Sequence, residues 1–300
     1  MGEIIKNRRE YLFLYDVSFA NPNGDPNDEN KPRIDEETGR NIVTDVRLKR
    51  TIRDYLKEFE GLEIFVREIA NEDGKIQDAK ARAKDFDNNP EKILNECIDV
   101  RLFGGTIPIT TGKSKDSSIT YTGAVQFGMG QSLHRVKLEF IKGTGAFASS
   151  SGKEQKTFRE EWILPYSFIA FHGVANQNAA KLTKLTNEDL ELLKKAIWEG
   201  TKNLITRSKN QMPRLLIEVI YKEGINSHIG ELHRYIKIES EKTDEELRST
   251  DDFILNIDKL LEILEEEAEK IQKVFYKKDR NLILSKDLSS DKIKFEEIIF

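Results

Sequence analysis

The sequence is poor in the residues that most often build metal or nucleophilic sites. In 300 residues there is one cysteine, Cys97, and there are four histidines. A single cysteine excludes an internal disulfide and a cysteine-based zinc cluster. The histidines have no ligand spacing and each lies in or near a strand pattern, so a structural role is favoured for each. They are His134, His172, His228 and His233.

Long apolar runs are also absent. No run approaches the roughly 18 residues that suggest a transmembrane helix, and residues 1–10 lack the apolar core of a signal peptide. The sequence therefore predicts a cytoplasmic protein with no membrane partner. Hydrophobic residues make up 38% and charged residues 34%. This favours an extended or interface-rich protein over a compact enzyme, although a thermophilic source gives the same composition.

An overall excess of positive charge is missing too, since the formal net charge is −5. The acidity is local: residues 236–300 contain 12 Lys and Arg against 18 Asp and Glu, which leaves 36 against 35 for residues 1–235. A nucleic-acid site would therefore have to be a basic patch. The candidates are residues 47–57 and the run Lys202, Arg207, Lys209, Arg214.

The most informative stretch joins an apolar run, a turn-rich loop and a charged amphipathic segment. Residues 11–19 are almost continuously apolar, and residues 21–32 are rich in Asn, Pro, Gly and Asp. This pattern predicts a strand, a long loop and then a helix that begins at Thr44 or Asp45. The apolar stripe of that helix consists of Leu48, Ile52, Tyr55, Leu56 and Phe59.

The opposite side of this predicted helix is basic. It carries Lys49, Arg50, Arg53 and Lys57, with Arg47 on its flank. Cations are unfavourable in the first turns of a helix, where the macrodipole already presents positive potential. A bound anion such as a phosphate backbone would compensate them. The alternative is a solvated face whose charge Asp45, Asp54 and Glu58 partly offset.

Further strands and helices alternate along the rest of the chain. Strands are predicted at 62–67, 121–127, 133–141, 166–171, 214–221 and 232–239, and helices at 79–86, from Pro90 to Gly104, and from the Thr186 capping box onward. Residues 254–275 are predicted to form one amphipathic helix. Residues 143–158 are small and polar apart from Phe147 and Phe158, which indicates a projecting hairpin; the alternative is an ordinary flexible loop.

Several motifs carry a resemblance to a known family. They are Tyr15-Asp-Val17, Asn21-Pro-Asn-Gly-Asp-Pro26, Lys31-Pro-Arg-Ile-Asp-Glu-Glu-Thr-Gly39, Val43-Thr-Asp-Val-Arg-Leu-Lys-Arg50, and residues 99–104, 123–127, 132–135 and 211–216. These segments resemble the CRISPR-associated family numbered seven, specifically its type I-B branch. The resemblance covers residues 10–235, most of the chain.

The resemblance implies a function and a set of partners. Members are the repeated backbone subunit of the Cascade surveillance complex, and several copies coat the guide RNA. The expected partners are therefore the guide RNA (crRNA), target DNA recognised through the guide, adjacent copies of the chain, and other Cascade subunits. No cofactor is implied.

The resemblance also implies an α+β fold with four parts. These are a ferredoxin-like, RNA-recognition-type palm at 1–60, 114–142 and 159–240, a fingers insertion at 61–113, a thumb hairpin at 143–158, and an acidic helical C-terminal extension at 241–300. In relatives the thumb wedges across the guide RNA and kinks it at regular intervals. The helix at 254–275 is expected either to pack on the palm or to contact another subunit.

The residues expected to contact RNA combine the basic patches with the hairpin. They are Arg47, Lys49, Arg50, Arg53, His134, Arg135, Phe147, Phe158, Arg207 and Lys209. The cations are expected on phosphates, whereas one of the two phenylalanines would be the apolar wedge that unstacks a base step.

An enzymatic function is the alternative, because type III cousins of this family cut target RNA with a loop aspartate. Asp25 or Asp35 would then act in a metal-dependent endoribonuclease on the same fold. However, the first loop lacks the calcium-loop pattern, and clusters of Asx and Pro normally form turns. The sequence therefore favours a protein with no catalytic residue and no metal.

Overall fold

The apolar run near the N-terminus forms strand β1 (Arg9–Ala20), which lies at the centre of the main sheet. The computed structural model describes residues 2–70, 74–109, 117–148 and 156–300. Its architecture is mixed α+β, as the sequence predicted. None of the helices in these ranges is both long and apolar enough to span a bilayer.

The described ranges contain fourteen further strands and seven α-helices. The strands are β2 (Gly24–Asp25), β3 (Lys31–Pro32), β4 (Arg40–Val43), β5 (Gly104–Ile109), β6 (Ser117–Thr122), β7 (Val125–Phe127), β8 (Gly130–Arg135), β9 (Glu139–Ala148), β10 (Lys156–Ala175), β11 (Gln211–Tyr221), β12 (Lys237–Glu239), β13 (Ile254–Asn256), β14 (Ile271–Lys278) and β15 (Phe295–Glu297). The helices are α1 (Asp45–Glu58), α2 (Ala79–Lys84), α3 (Pro90–Glu96), α4 (Ile98–Phe103), α5 (Gln177–Thr183), α6 (Asn187–Asn203) and α7 (Asp258–Glu266).

Nine of the strands form the main sheet. Its order is β15-β14-β11-β1-β10-β8-β4, and β7 and β9 also pair with β10. β1 is antiparallel to both neighbours: Arg9 lies opposite Ala175 of β10 and opposite Ile220 of β11. The pairs β2-β3, β5-β6 and β12-β13 form three small separate sheets.

Both faces of the main sheet are covered. Alternate side chains of β1 point to opposite faces, so Tyr11 and Phe13 join a core with α1 and α6, whereas Leu12 and Leu14 join a second core. The second core is closed by residues 225–295, including α7. A strand buried on both faces needs a nearly continuous apolar run, and residues 11–17 form one that only Asp16 interrupts.

Helix α1 begins where the sequence predicted. Thr44 is its N-cap, and the Thr44 hydroxyl accepts a hydrogen bond from the backbone N–H of Arg47. Leu48, Ile52, Tyr55 and Leu56 are buried, which confirms four positions of the predicted stripe. The prediction for Phe59 was wrong: this residue is the C-cap, its side chain is 59% exposed, and its ring stacks on Tyr55.

Helix α6 is confirmed, together with its capping box between Thr186 and Asp189. It packs against α1 at Gly200, where an added Cβ would lie 3.2 Å from the carbonyl oxygen of Thr51. The Asp189 carboxylate also accepts two hydrogen bonds from Arg101 in α4. This bidentate ion pair ties the region after residue 61 to the main body.

The C-terminal region differs from its predicted single helix. Residues 254–275 form β13, the nine-residue α7 and the beginning of β14, so the extension at 241–300 is not mainly helical. The helix ends because β11 offers an open edge, and β14 pairs with it from Leu215 to Tyr221. A tertiary hydrogen-bonding partner of this kind outweighs local helix propensity.

Other predicted boundaries also shifted. The predicted strand at 232–239 is a short 3-10 helix, Leu232–Tyr235, followed by β12, and residues 62–67 hold only an isolated bridge from Glu63 to Cys97. The strand at 133–141 is divided between β8 and β9. Residues 65–107 contribute a small core of their own. The division into palm, fingers, thumb and extension stays a prediction.

We expect Gly104→Ala to lower the free energy of unfolding by about 2–5 kcal/mol. Gly104 has φ +71°, and an added Cβ would lie 2.1 Å from the carbonyl oxygen of Tyr121. Gly61 shares the positive φ, at +67°, but apart from its chain neighbours no atom lies within 4 Å of an added Cβ. Gly61→Ala should therefore cost only the left-handed backbone penalty of about 1–2 kcal/mol. Equal urea midpoints for the two variants would contradict the steric argument.

Candidate nucleic-acid interface

The loop at residues 21–32 connects three elements at one end of β1. The backbone N–H of Asn21 donates to the carbonyl oxygen of Ser208, which lies in the turn before β11. The side-chain oxygen of Asn23 accepts hydrogen bonds from the backbone and the hydroxyl of Thr44, the N-cap of α1, both at 2.9 Å. This end of the sheet thus gathers the first loop, the start of α1 and residues 206–210.

We call the resulting area the loop surface. It comprises Phe19, Lys31, Arg47, Phe140, Trp162, Arg207 and Lys209. Three of these residues, Arg47, Arg207 and Lys209, were expected from the sequence.

Arg47 and Lys209 are two neighbouring, partly buried cations. Arg47 donates to the hydroxyl of Thr51 at 3.0 Å, and the Lys209 ammonium donates to the carbonyl oxygen of Asn21. In the ranges that the structure describes, neither forms an ion pair with a carboxylate. Burial, and secondly the charge of Arg47, lower the pKa of Lys209 to about 8. Burial also lowers the pKa of Arg47.

Two desolvated like charges are unfavourable unless an anion neutralises them. With a pKa near 8, Lys209 remains mostly protonated at pH 7, so the pair keeps its double positive charge. A phosphate group has the charge and the acceptor oxygens to satisfy both side chains. The pair therefore has the chemistry of an anion site.

An aromatic pair lies next to Lys31 of the first loop and was not identified from the sequence. Phe140 of β9 and Trp162 of β10 are register partners, with ring centroids 4.9 Å apart. The Lys31 ammonium lies 5.3 Å from the Trp162 ring, and the indole N–H donates to Glu29 at 3.2 Å. Phe140 is 48% exposed, and the pair lines a cleft of about 610 Å³ with Glu29 and Glu160. The sequence signal that could have identified this pair is the presence of an aromatic residue on each side of the predicted hairpin at 143–158.

Arg207 lies on the loop surface next to this pair. Its guanidinium is about half exposed and forms an ion pair with Glu161, the neighbour of Trp162. The Arg207 guanidinium is thus accessible to another anion, whereas the Glu161 side chain is only 18% exposed. A contact between Arg207 and RNA remains a prediction.

The basic face of α1 is paired to a greater extent than its sequence suggested. Lys49 pairs with Asp45 at 2.9 Å, and Arg50 pairs with Asp54 at 2.7 Å. These are the carboxylates that the alternative interpretation invoked. Lys49 also approaches Gln126 and the Phe103 ring, away from the loop surface.

Arg53 has a structural partner of a different kind. Its guanidinium donates at 2.9 Å to Asp99, which is fully buried and also accepts the backbone N–H groups of Phe65 and Val66. Removing Arg53 would leave this carboxylate buried without its cation, so the arginine is needed for the fold. RNA contacts by Lys49, Arg50 and Arg53 stay predictions.

His134 is not available to bind RNA, which corrects the expectation. Its ring is buried beneath the sheet edge and stacks on Tyr166. The Nε2 atom accepts the backbone N–H of Phe168, while Nδ1 lies 2.7 Å from the carbonyl oxygen of Arg135. Nδ1 therefore carries the proton, and burial lowers the pKa of His134 so that the ring is neutral at pH 7. The side chain satisfies backbone groups inside the fold.

Arg135 remains on the surface, where it lies opposite Arg40 of the edge strand β4. Its backbone N–H donates to Asp244 at 2.8 Å. This hydrogen bond ties the end of β8 to the segment at residue 244. Its expected contact with RNA stays a prediction.

The outer part of the proposed hairpin is described only in part. β9 and β10 pair antiparallel, with Ile163 opposite Glu139 at one end and Lys156 opposite Ala148 at the other. Residues 149–155 lie outside the described residues, as do the side chains of Phe147 and Phe158. The expectation that one of these two phenylalanines is the wedge therefore stays a prediction.

The two aspartates of the enzymatic alternative are engaged in local structure. Asp25 forms an ion pair with Arg33, and the hydroxyl of Thr38 donates to Asp35, which lowers the pKa of Asp35. Across the described ranges, no group of three His, Cys, Asp or Glu residues is placed to hold a metal. Burial raises the pKa of Cys97 to about 12, so its thiol stays protonated.

Comparison with known proteins decides the family. The family model of CRISPR-associated protein Cas7 matches residues 7–258. A CRISPR-associated protein Cas7 of Haloferax volcanii is 33% identical over 318 aligned residues, which cover 97% of this chain and 92% of the relative. The chain belongs to the Cas7 family. The resemblance found in the sequence is thus confirmed at the level of the family.

Solved structures with the same fold are chains of RNA-guided complexes. A chain of a "CRISPR RNA-guided surveillance complex, pre-nicking" is similar with a TM-score of 0.58 at 12% identity, covering 97% of this chain and 96% of that chain. A chain of a "CRISPR RNA-guided surveillance complex" gives a TM-score of 0.56 at 14% identity, covering 96% and 94%. At these identities the likeness establishes the fold of this Cas7-family chain.

Proposed function

We propose that this protein is a guide-RNA-binding backbone subunit of a type I-B CRISPR surveillance complex. The observation that carries the proposal is the Arg47–Lys209 pair, two partly buried cations without a carboxylate partner in the described structure. Membership of the Cas7 family supports RNA as the anion. The phosphate backbone would neutralise both charges, and the Phe140–Trp162 pair would contact bases.

The topology supports an RNA-recognition-type palm. β1, α1, β8, β10, α6 and β11 follow one another as strand, helix, strand, strand, helix, strand, and their spatial order is β11-β1-β10-β8. This is the order of a ferredoxin-like unit. RNA-recognition sheets commonly bind RNA on their open face, but residues 225–295 cover that face here. We therefore place the proposed RNA contact at the end of the sheet, where the loop surface lies.

Several copies would bind one guide RNA in succession. The hairpin at 143–158, as the thumb, would reach the next copy and wedge between bases at regular intervals. Such a head-to-tail contact builds an open filament instead of a closed ring. Target DNA would then be recognised through the guide, with other subunits completing the complex.

The test combines purified protein with a guide-length single-stranded RNA. We expect multimers in gel filtration and periodic protection in footprinting. Replacing Ala146 to Gln155 by a short turn should leave a folded monomer that no longer assembles cooperatively. Undiminished multimers with unchanged protection would remove the thumb from the mechanism, and a wild-type protein that binds no RNA would overturn the proposed function.

The same preparations test the non-catalytic part of the proposal. With Mg²⁺ or Mn²⁺ present, RNA complementary to the guide should remain intact, because Asp25 and Asp35 are engaged in local structure. Metal-dependent cleavage that disappears in Asp25→Ala or Asp35→Ala would instead establish the endoribonuclease alternative.

A further inference from the structure

Phe19 combines an unfavourable backbone conformation with an exposed aromatic ring. Its φ is +46°, in the left-handed region, and 58% of the residue is exposed. The other non-glycine residues with positive φ in the described ranges are all polar: Glu29, Asn30, Asp87, Asn88, Lys184 and Glu231. Phe19 is thus the one large apolar side chain in this group.

Folding alone gives no reason for phenylalanine at this position. The left-handed conformation costs an L-residue with a Cβ about 1–2 kcal/mol, whereas glycine adopts it freely. Burial does not repay this cost, because more than half of the side chain faces solvent. Within the described structure, the ring also makes no aromatic contact. A strained residue that the fold does not use indicates a function.

The backbone around Phe19 is fixed from both sides. Ser18 exchanges two hydrogen bonds with Asn210, at 3.1 and 3.0 Å, and the N–H of Asn21 donates to the carbonyl oxygen of Ser208 at 3.0 Å. On the other side, Ser18 lies opposite Tyr166 of β10, and Ala20 lies opposite Leu164. The ring is therefore presented from a rigid segment.

The cations of the loop surface flank this segment. The Lys209 ammonium donates to the carbonyl oxygen of Asn21, two residues from Phe19, and Lys209 lies within the same 208–210 turn that holds Ser18 and Asn21. Arg47 is the neighbouring cation. An exposed aromatic residue on a rigid segment, with two nearby cations that have no carboxylate partner in the described ranges, is the composition of a single-strand nucleic-acid site.

We propose that Phe19 stacks on one base of the bound single-stranded RNA while Arg47 and Lys209 hold an adjacent phosphate. This inference rests on the proposed function. A flat ring loses little side-chain entropy on binding, and stacking on an aromatic residue contributes without base preference. On this proposal, the strained backbone at residue 19 is kept because it holds the ring exposed on the segment that Lys209 contacts.

The test uses a variant that should lower the affinity for RNA without lowering the free energy of unfolding. Phe19→Gly should leave the urea midpoint unchanged or higher, because glycine relieves the strained φ. The same variant should bind single-stranded RNA about 5–100-fold more weakly, the loss expected for one stacked base. The slope of affinity against salt should stay unchanged, because no phosphate contact is removed.

A matched pair of variants provides the control. Phe19→Leu and Phe59→Leu make the same change at residues that are 58% and 59% exposed. Only Phe19→Leu should weaken RNA binding, whereas Phe19→Trp should preserve it.

If wild-type protein binds RNA and Phe19→Leu binds equally well, the stacking assignment is wrong and the proposed function stands. A changed salt slope in Phe19→Gly would also overturn the assignment, since it would indicate lost phosphate contacts. If wild-type protein does not bind RNA, the proposed function itself fails.

Discussion

Replacing Glu218 by alanine should lower the free energy of unfolding by about 3–5 kcal/mol, a large share of the stability of an ordinary domain. Glu218 is fully buried in β11, next to the central strand. One carboxylate oxygen accepts from Arg9 at 2.9 Å and from the Tyr11 hydroxyl at 2.8 Å, and the other lies 2.9 Å from the Lys194 ammonium. The substitution would leave two buried cations without this carboxylate.

Urea unfolding of Glu218→Ala and Glu231→Ala measures this effect. The second variant breaks the exposed ion pair between Glu231 and Arg234 and should cost less than about 1 kcal/mol. A similar small loss in both variants would show that the buried carboxylate is dispensable. If Glu218→Ala does not fold at all, Glu218→Gln keeps the shape and should still show a loss.

The Glu218 effect should also depend on pH. Burial raises the pKa of Glu218, but the charges of Arg9 and Lys194 outweigh burial, so the pKa lies below its usual value. A lowered folded-state pKa contributes stability that is present above the unfolded pKa and lost as pH falls through the folded pKa. The difference between wild type and Glu218→Gln should therefore narrow in acid, below about pH 4.

Replacing Arg47 and Lys209 together by glutamine should reduce the affinity for single-stranded RNA by about 10–100-fold at moderate salt. The slope of log affinity against log salt should fall by roughly 1.4, or about 0.7 for each lost phosphate contact. The free energy of unfolding should stay the same or increase, because the substitutions remove two partly buried charges. A lower affinity for RNA without a lower free energy of unfolding would show that the two cations bind RNA.

The control for this variant is Lys286→Gln with Lys292→Gln. It removes the same charge from exposed positions among the acidic C-terminal residues, where Lys286 pairs with Asp258 and Lys292 with Glu265. Affinity and salt slope should both be retained. Equal losses in the two double variants would mean that RNA responds to net charge and not to the loop surface.

The sequence correctly predicted those elements whose signal lies within the element itself. β1 contains an almost continuous apolar run, α1 is capped by Thr44, and α6 begins at the capping box of Thr186 with Asp189. Each of these signals depends only on residues that are close together in the sequence. The order of the elements and the family motifs then indicated the overall class of the fold.

Features that depend on distant partners could not be predicted. The helix predicted at 254–275 ends early and its last residues belong to β14, because β11 supplies a partner strand. His134 is buried because residues around Asp244 cover it, about 110 positions later in the chain. The Phe140–Trp162 pair requires the exact strand register, which the sequence does not determine.

The basic face of α1 contains both cations with partners nearby in the sequence and a cation with a distant partner. Asp45 and Asp54 lie four residues from Lys49 and Arg50, so these pairs follow from helix geometry. The partner of Arg53 is Asp99, 46 positions away, which only the folded structure reveals. Arg47 and Lys209 form no ion pair within the described residues; they come from separate parts of the chain and lie near each other at the first loop.

The central position of β1 has a consequence for synthesis on the ribosome. β1 is complete at residue 20, yet its partners are residues 164–175 of β10 and 211–220 of β11. At translation rates of about 5–20 residues per second, the nascent chain carries an unpaired apolar strand for on the order of ten seconds. During that time the unpaired backbone of β1 is open to pairing with another nascent chain, so we expect shielding of residues 9–20 during synthesis to raise the yield of folded protein.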